Sequence, residues 1–78
     1  MKEDYYYLFG EAVVNAYNEG GLDDVVEVIR QGEGYATFHY SIKENTPNDL
    51  LDAVSDWYDW VELDKLEYEI LQKEITEL

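Results

Sequence analysis

Apolar positions recur along the chain with the two periods of regular structure, and the change of period marks out the elements. From Asp4 to about Asn18, Tyr6, Phe9, Val13, Ala16 and Tyr17 fall three or four apart, which is the spacing of one helix face. Asp4 suits the N-cap of that predicted helix and Gly20-Gly21 its stop. Gly10 within the stretch lowers helix propensity by about 1 kcal/mol relative to Ala, so the periodicity carries the assignment. Residues 22–31 support two readings. Leu22, Val25, Val26 and Ile29 fit a helix, with Asp23 and Asp24 at its start, Arg30 at its end and Gly32 beyond. The β-branched Val25, Val26, Val28 and Ile29 equally fit a strand that leads through Gly32-Glu33-Gly34 into a hairpin.

The alternation in 35–42 predicts a strand, with Ala36, Phe38, Tyr40 and Ile42 on one face and Tyr35, Thr37, His39 and Ser41 on the other. Its partner is expected to be either Val25 to Arg30 or the alternating run Leu66-Glu67-Tyr68-Glu69-Ile70. Thr46-Pro47-Asn48-Asp49 carries the marks of a helix start: an N-cap hydroxyl, Pro at the first helical position, and an acid three residues after the cap. That helix is expected to bury Leu50, Val54, Trp57, Tyr58 and Val61. After a break near Val61 to Asp64, the residues Leu66, Ile70 and Leu78 continue a helical pattern. The sum is a helix-rich α+β fold with a short antiparallel sheet and C-terminal helices.

Composition narrows what such a domain can do. At 78 residues, one hydrophobic core is all that can be built, so 1–78 reads as a single domain. An apolar content of 46% with two Trp, eight Tyr and two Phe is enough to fold. Nineteen Asp and Glu against five Lys and Arg leave a formal charge of -14, far beyond what solubility needs. Self-repulsion makes this field costly, and its sign repels nucleic acid and anionic membranes while attracting basic surfaces. No Cys is present, which excludes disulfides, a thiolate nucleophile and thiolate-ligated metals. Without an export leader pattern in residues 1–4 or a long apolar run, the expected location is cytoplasmic.

The candidate chemistry lies in the acids. Asp49, Asp52, Asp56 and Asp59 are spaced three, four and three apart and would line one helix face opposite Trp57. At about 1.5 Å rise per residue the stripe would run roughly 15 Å, with a charge every 5 Å or so; a nucleic-acid strand advances about 3.4 Å along its axis per phosphate and somewhat more along its backbone, so a surface that holds phosphates could accept such a row. Glu62 and Asp64 extend it. Surface helices usually interleave Lys and Arg with their acids, yet Asp49 through Glu62 contains no basic residue. A calcium loop of the D-x-[DN]-x-[DN]-G type is absent, so no metal or cofactor is expected. His39 and Ser41 share a strand face without a third partner, and 78 residues leave little room for a cleft between carboxylates, so an enzyme is not expected. An acyl-carrier role would need a serine in a D-S-L context, and Ser55 sits in Val54-Ser55-Asp56.

In size, charge and helix-rich α+β layout the chain resembles the nucleic-acid-mimic inhibitors of phages and mobile elements. These include anti-CRISPR proteins, antirestriction proteins and uracil-DNA glycosylase inhibitors. Tyr17-Asn18-Glu19-Gly20-Gly21-Leu22 is similar to the YN-x-G-x-L segment of the longer ArdA-type antirestriction proteins. The resemblance, preferentially to anti-CRISPR proteins, implies a protein that occupies the basic nucleic-acid channel of a nuclease, CRISPR effector or restriction enzyme in the host cytoplasm. Carboxylates of Asp49, Asp52, Asp56, Asp59, Glu62 and Asp64 would then stand in for phosphates, with exposed aromatics fixing register. An acidic adaptor or antitoxin-like module, binding a basic partner without nucleic-acid competition, is the alternative. Self-association as a homodimer is left open.

Overall fold

Strong β-formers fill the segment where the helical period was read. In the computed structural model, which describes residues 2–77, Asp4–Phe9 is strand β1 and the first helix, α1, spans Glu11–Gly20. The expected helix from Asp4 is thus split. As a strand, Asp4–Phe9 buries Tyr6 and Leu8 on one face of the sheet and Tyr7 and Phe9 on the other, whereas a helix would bury only one stripe. Gly10 makes the junction. It takes φ 129°, and an added Cβ would stand 2.7 Å from the Gly34 carbonyl oxygen, so this turn is closed to any residue with a side chain.

Gly21, with φ 78°, ends α1 as expected and at once begins α2, Leu22–Arg30. Its N–H donates to the Tyr17 carbonyl at 3.0 Å. The helical reading of this segment prevails because Val25, Val26 and Ile29 all turn to the core, while Asp23, Asp24 and Arg30 complement the helix dipole.

Strand β2 is Ala36–Ser41, at the predicted place. Its partner is neither of the two expected segments. It pairs antiparallel with β1, Tyr5 opposite Tyr40 and Tyr7 opposite Phe38, and residues 66–71 lie in a helix. Helix α3 begins as predicted: Thr46 Oγ1 accepts from Asp49 N and Asp49 Oδ2 from Thr46 N, a complete capping box before Pro47. It stops at Ser55, before the expected end, because Trp60–Leu63 forms β3. Phe9 opposes Trp60 and Tyr6 opposes Leu63. Asp64 and Glu67 then cap each other's backbone N–H and start α4, Lys65–Glu77. Leu78, read above as part of this pattern, lies outside the described residues, as does Met1.

The sheet order is β2-β1-β3. Helices α1, α2 and α4 cover one face, packing Val13, Ala16, Val25, Val26, Ile29 and Leu71 onto Tyr6, Leu8 and Leu63. Helix α3 alone lies over the other, where half-buried Leu50, Ala53, Val54 and Trp57 meet Tyr7, Phe9 and Tyr40. Among the described residues, no helix is long and apolar enough to cross a membrane.

Candidate protein-binding surface

The six candidate acids do not form one helical stripe. Asp49 and Asp52 lie on α3, Asp56 caps its C-terminal end, Asp59 sits in the connection, Glu62 is on β3 and Asp64 opens α4. The reason is tertiary. Val61 and Leu63 gain burial on the three-helix face only if 60–63 is extended, and that gain outweighs continuation of an exposed helix. Tyr58 and Val61, expected in the buried stripe of the Thr46 helix, correspondingly separate: Tyr58 is fully exposed and Val61 faces the opposite side of the sheet from α3.

Three of the six acids have structural partners. Asp49 is engaged by the α3 capping box, Glu62 pairs with Lys2, and Asp64 with Glu67 caps α4. The Glu62 contact holds the Lys2 ammonium above its ordinary pKa. Burial, and next the Glu62 carboxylate, raise the Tyr7 hydroxyl above its ordinary value. Asp52, Asp56 and Asp59 form no ion pair among the described residues. Asp52 and Asp56 also stand at the C-terminal end of α3, where the helix dipole opposes negative charge by about 0.3–1 kcal/mol each, and no basic residue occupies that turn.

Beside these acids are two aromatics that periodicity had placed wrongly or not at all. Tyr58 is fully exposed and Trp60 is 47% exposed, the latter edge-on to Tyr7 at 5.6 Å between ring centroids. Leu51, on α3, is 64% exposed. Val61-Glu62-Leu63-Asp64 alternates in strand fashion, and that short run was the available signal that the chain is extended next to Trp60. The result is a surface of unpaired carboxylates and large exposed apolar groups carried by α3, its following loop and β3.

Elsewhere the chemistry is self-contained. His39 stacks on Tyr6 at 4.6 Å, and its Nε2 lies 2.9 Å from Asp4 Oδ1 at an exposed position. Ser41 is buried and does not reach a base; its Oγ accepts from Lys43 N. Tyr17 donates to Glu67 Oε2 at 2.6 Å, which together with burial raises its pKa to about 12. Among the described residues, no three acidic or His side chains converge as metal ligands. A cleft of about 290 Å³ between α2 and α4 has Leu22, Val26 and Ile70 in its wall and Arg30 at its rim among Asp23, Glu27 and Glu74. No protein-family profile, curated protein or solved structure matches this chain.

Proposed function

We propose that the protein is an acidic inhibitor that binds the basic nucleic-acid-binding surface of a nuclease or effector complex in the host cytoplasm, most specifically as an anti-CRISPR protein. The observation that carries this reading is the placement of Asp52, Asp56 and Asp59. Among the described residues they form no ion pair, two of them oppose the α3 dipole, and Asp56 and Asp59 flank exposed Tyr58 and Trp60 along the chain. Charge kept where it costs the free protein stability becomes favourable when Arg and Lys of a partner neutralise it. The carboxylates would occupy the places of phosphates, while Tyr58 and Trp60 supply the desolvated contact area that slows dissociation. Asp49, Glu62 and Asp64 would contribute at the edge of the contact, with smaller effects because each already has an internal partner.

Immobilised protein exposed to a bacterial lysate should retain a nucleic-acid-binding complex that excess double-stranded DNA displaces. The triple variant Asp52→Asn, Asp56→Asn, Asp59→Asn should lose that retention with unchanged circular dichroism. Retention of one basic partner indifferent to DNA would instead establish the adaptor or antitoxin-like alternative.

A further inference from the structure

We infer that β3 is an open docking edge, to which an extended Arg- or Lys-bearing segment of the partner adds as a fourth, outer strand. This rests on the proposed preference for a basic partner and adds the mode of attachment. The pairing parity shows which backbone groups are free. Gly10 N donates to the Asp59 carbonyl at 3.0 Å, and these two residues continue the β1–β3 register in which Phe9 opposes Trp60. In an antiparallel ladder, hydrogen-bonded pairs recur every second residue, so Val61 and Leu63 point their N–H and C=O groups at β1. Trp60 and Glu62 therefore point theirs outward. Neither makes a backbone or side-chain hydrogen bond through those groups among the described residues, whereas the edge of β2 is partly occupied. There, Ser41 N donates to Asn45 Oδ1 at 2.9 Å, and the Ser41 carbonyl accepts from Asn45 N at 2.7 Å.

The surroundings select the occupant. The outward pair lies in the segment Asp56, Asp59, Glu62, Asp64, whose one ion pair among the described residues is Glu62 with Lys2. A second copy of this chain, adding β3 to β3, would bring those carboxylates against each other, and like charges across a strand pair are destabilising. A basic strand would meet them favourably and could exchange one of its side chains for Lys2 on Glu62. Trp60 projects onto the one-helix face beside Tyr7, which places an aromatic platform for every second side chain of the added strand. Charge gives the partner class, and the free donors and acceptors give it a backbone register.

The test uses the isotope-labelled protein and an end-capped hexapeptide of alternating Arg and Val, followed by NMR. In the free protein the amides of Trp60 and Glu62 should exchange with solvent at least tenfold faster than those of Val61 and Leu63. On titration the Trp60 and Glu62 amides should shift and become protected. The same Arg-Val peptide methylated at every backbone nitrogen, equal in charge but without any donor for the ladder, should bind at least tenfold more weakly. Glu62→Pro, which removes an outward donor but no bond to β1, should lose the discrimination between the two peptides, and Glu62→Gln should keep it. Equal binding of both peptides, with shifts spread over α3 and none at the β3 amides, would overturn strand addition and leave the basic-partner reading standing. Absence of binding by either peptide at millimolar concentration would overturn both.

Discussion

On one face of the sheet Tyr6, Leu8 and Leu63 lie beneath three helices; on the other, Tyr7, Phe9 and Tyr40 lie beneath α3 alone. Both faces are built from the same strands and the same aromatic and aliphatic residue types. The difference lies in what covers them. The three-helix face encloses side chains such as Leu8, Val13, Val25 and Leu71 with no exposure at all, whereas α3 contributes no fully buried residue and leaves Trp60 half in solvent. Stability is thus concentrated on one side of the sheet and accessible surface on the other. Unpaired acids can accumulate on α3 because little packing depends on that helix.

The largest test of this contrast is a pair of truncations. Leu8→Ala should cost about 2–5 kcal/mol, since its cavity lies in enclosed packing, and should lower the melting temperature by roughly 10 °C or more. Leu50→Ala, at a half-buried position under α3, should cost about 1 kcal/mol. Equal costs in urea titrations would break the comparison. Thr46→Ala should remove about 1 kcal/mol by opening the α3 capping box, and should loosen α3 in hydrogen exchange before the three-helix face responds. Asp52→Asn and Asp56→Asn should each stabilise by a few tenths of a kcal/mol at low ionic strength, a gain that fades toward 1 M salt.

The smallest effect concerns the covered side, where Tyr17 joins α1 to α4 through Glu67. Its folded pKa of about 12 lies above the ordinary value near 10, so the protonated hydroxyl is the form that folding favours. Its contribution is fully present below about pH 10 and is lost as pH rises through about 12. Urea midpoints compared between the parent and Tyr17→Phe should converge over that interval; a constant difference would remove Glu67 as the cause.

The outline of this fold was legible wherever local chemistry and tertiary demand agreed. The Thr46-Pro47-Asn48-Asp49 start, the Gly20-Gly21 stop and the alternation of 36–41 all describe groups that satisfy themselves within a few residues. Errors arose where a strand is covered on both faces. Tyr5-Tyr6-Tyr7-Leu8-Phe9 is apolar throughout, so alternation cannot reveal it, and the accidental spacing of Tyr6, Phe9 and Val13 imitated a helix. Residues 60–63 are too short to outweigh the longer period around them. The acids of 49–64 are visible in the sequence, but their geometry was lost once the helix was carried past Ser55. With it went the exposure of Tyr58, which follows directly from the chain leaving α3.

The central strand precedes both of its neighbours in the chain, and this has a consequence for synthesis. β1 ends at Phe9 and β3 begins at Trp60, so at about 5–20 residues per second the middle of the sheet waits roughly 3–10 s for its second partner to be made. During that interval Tyr5-Tyr6-Tyr7-Leu8-Phe9 is an uncovered, β-prone, uncharged segment of the kind that seeds aggregation. Its neighbours Glu3 and Asp4, and the acids of the emerging helices, keep nascent chains apart by repulsion. The charge proposed to meet a basic target would thus also protect the newborn chain from its own kind.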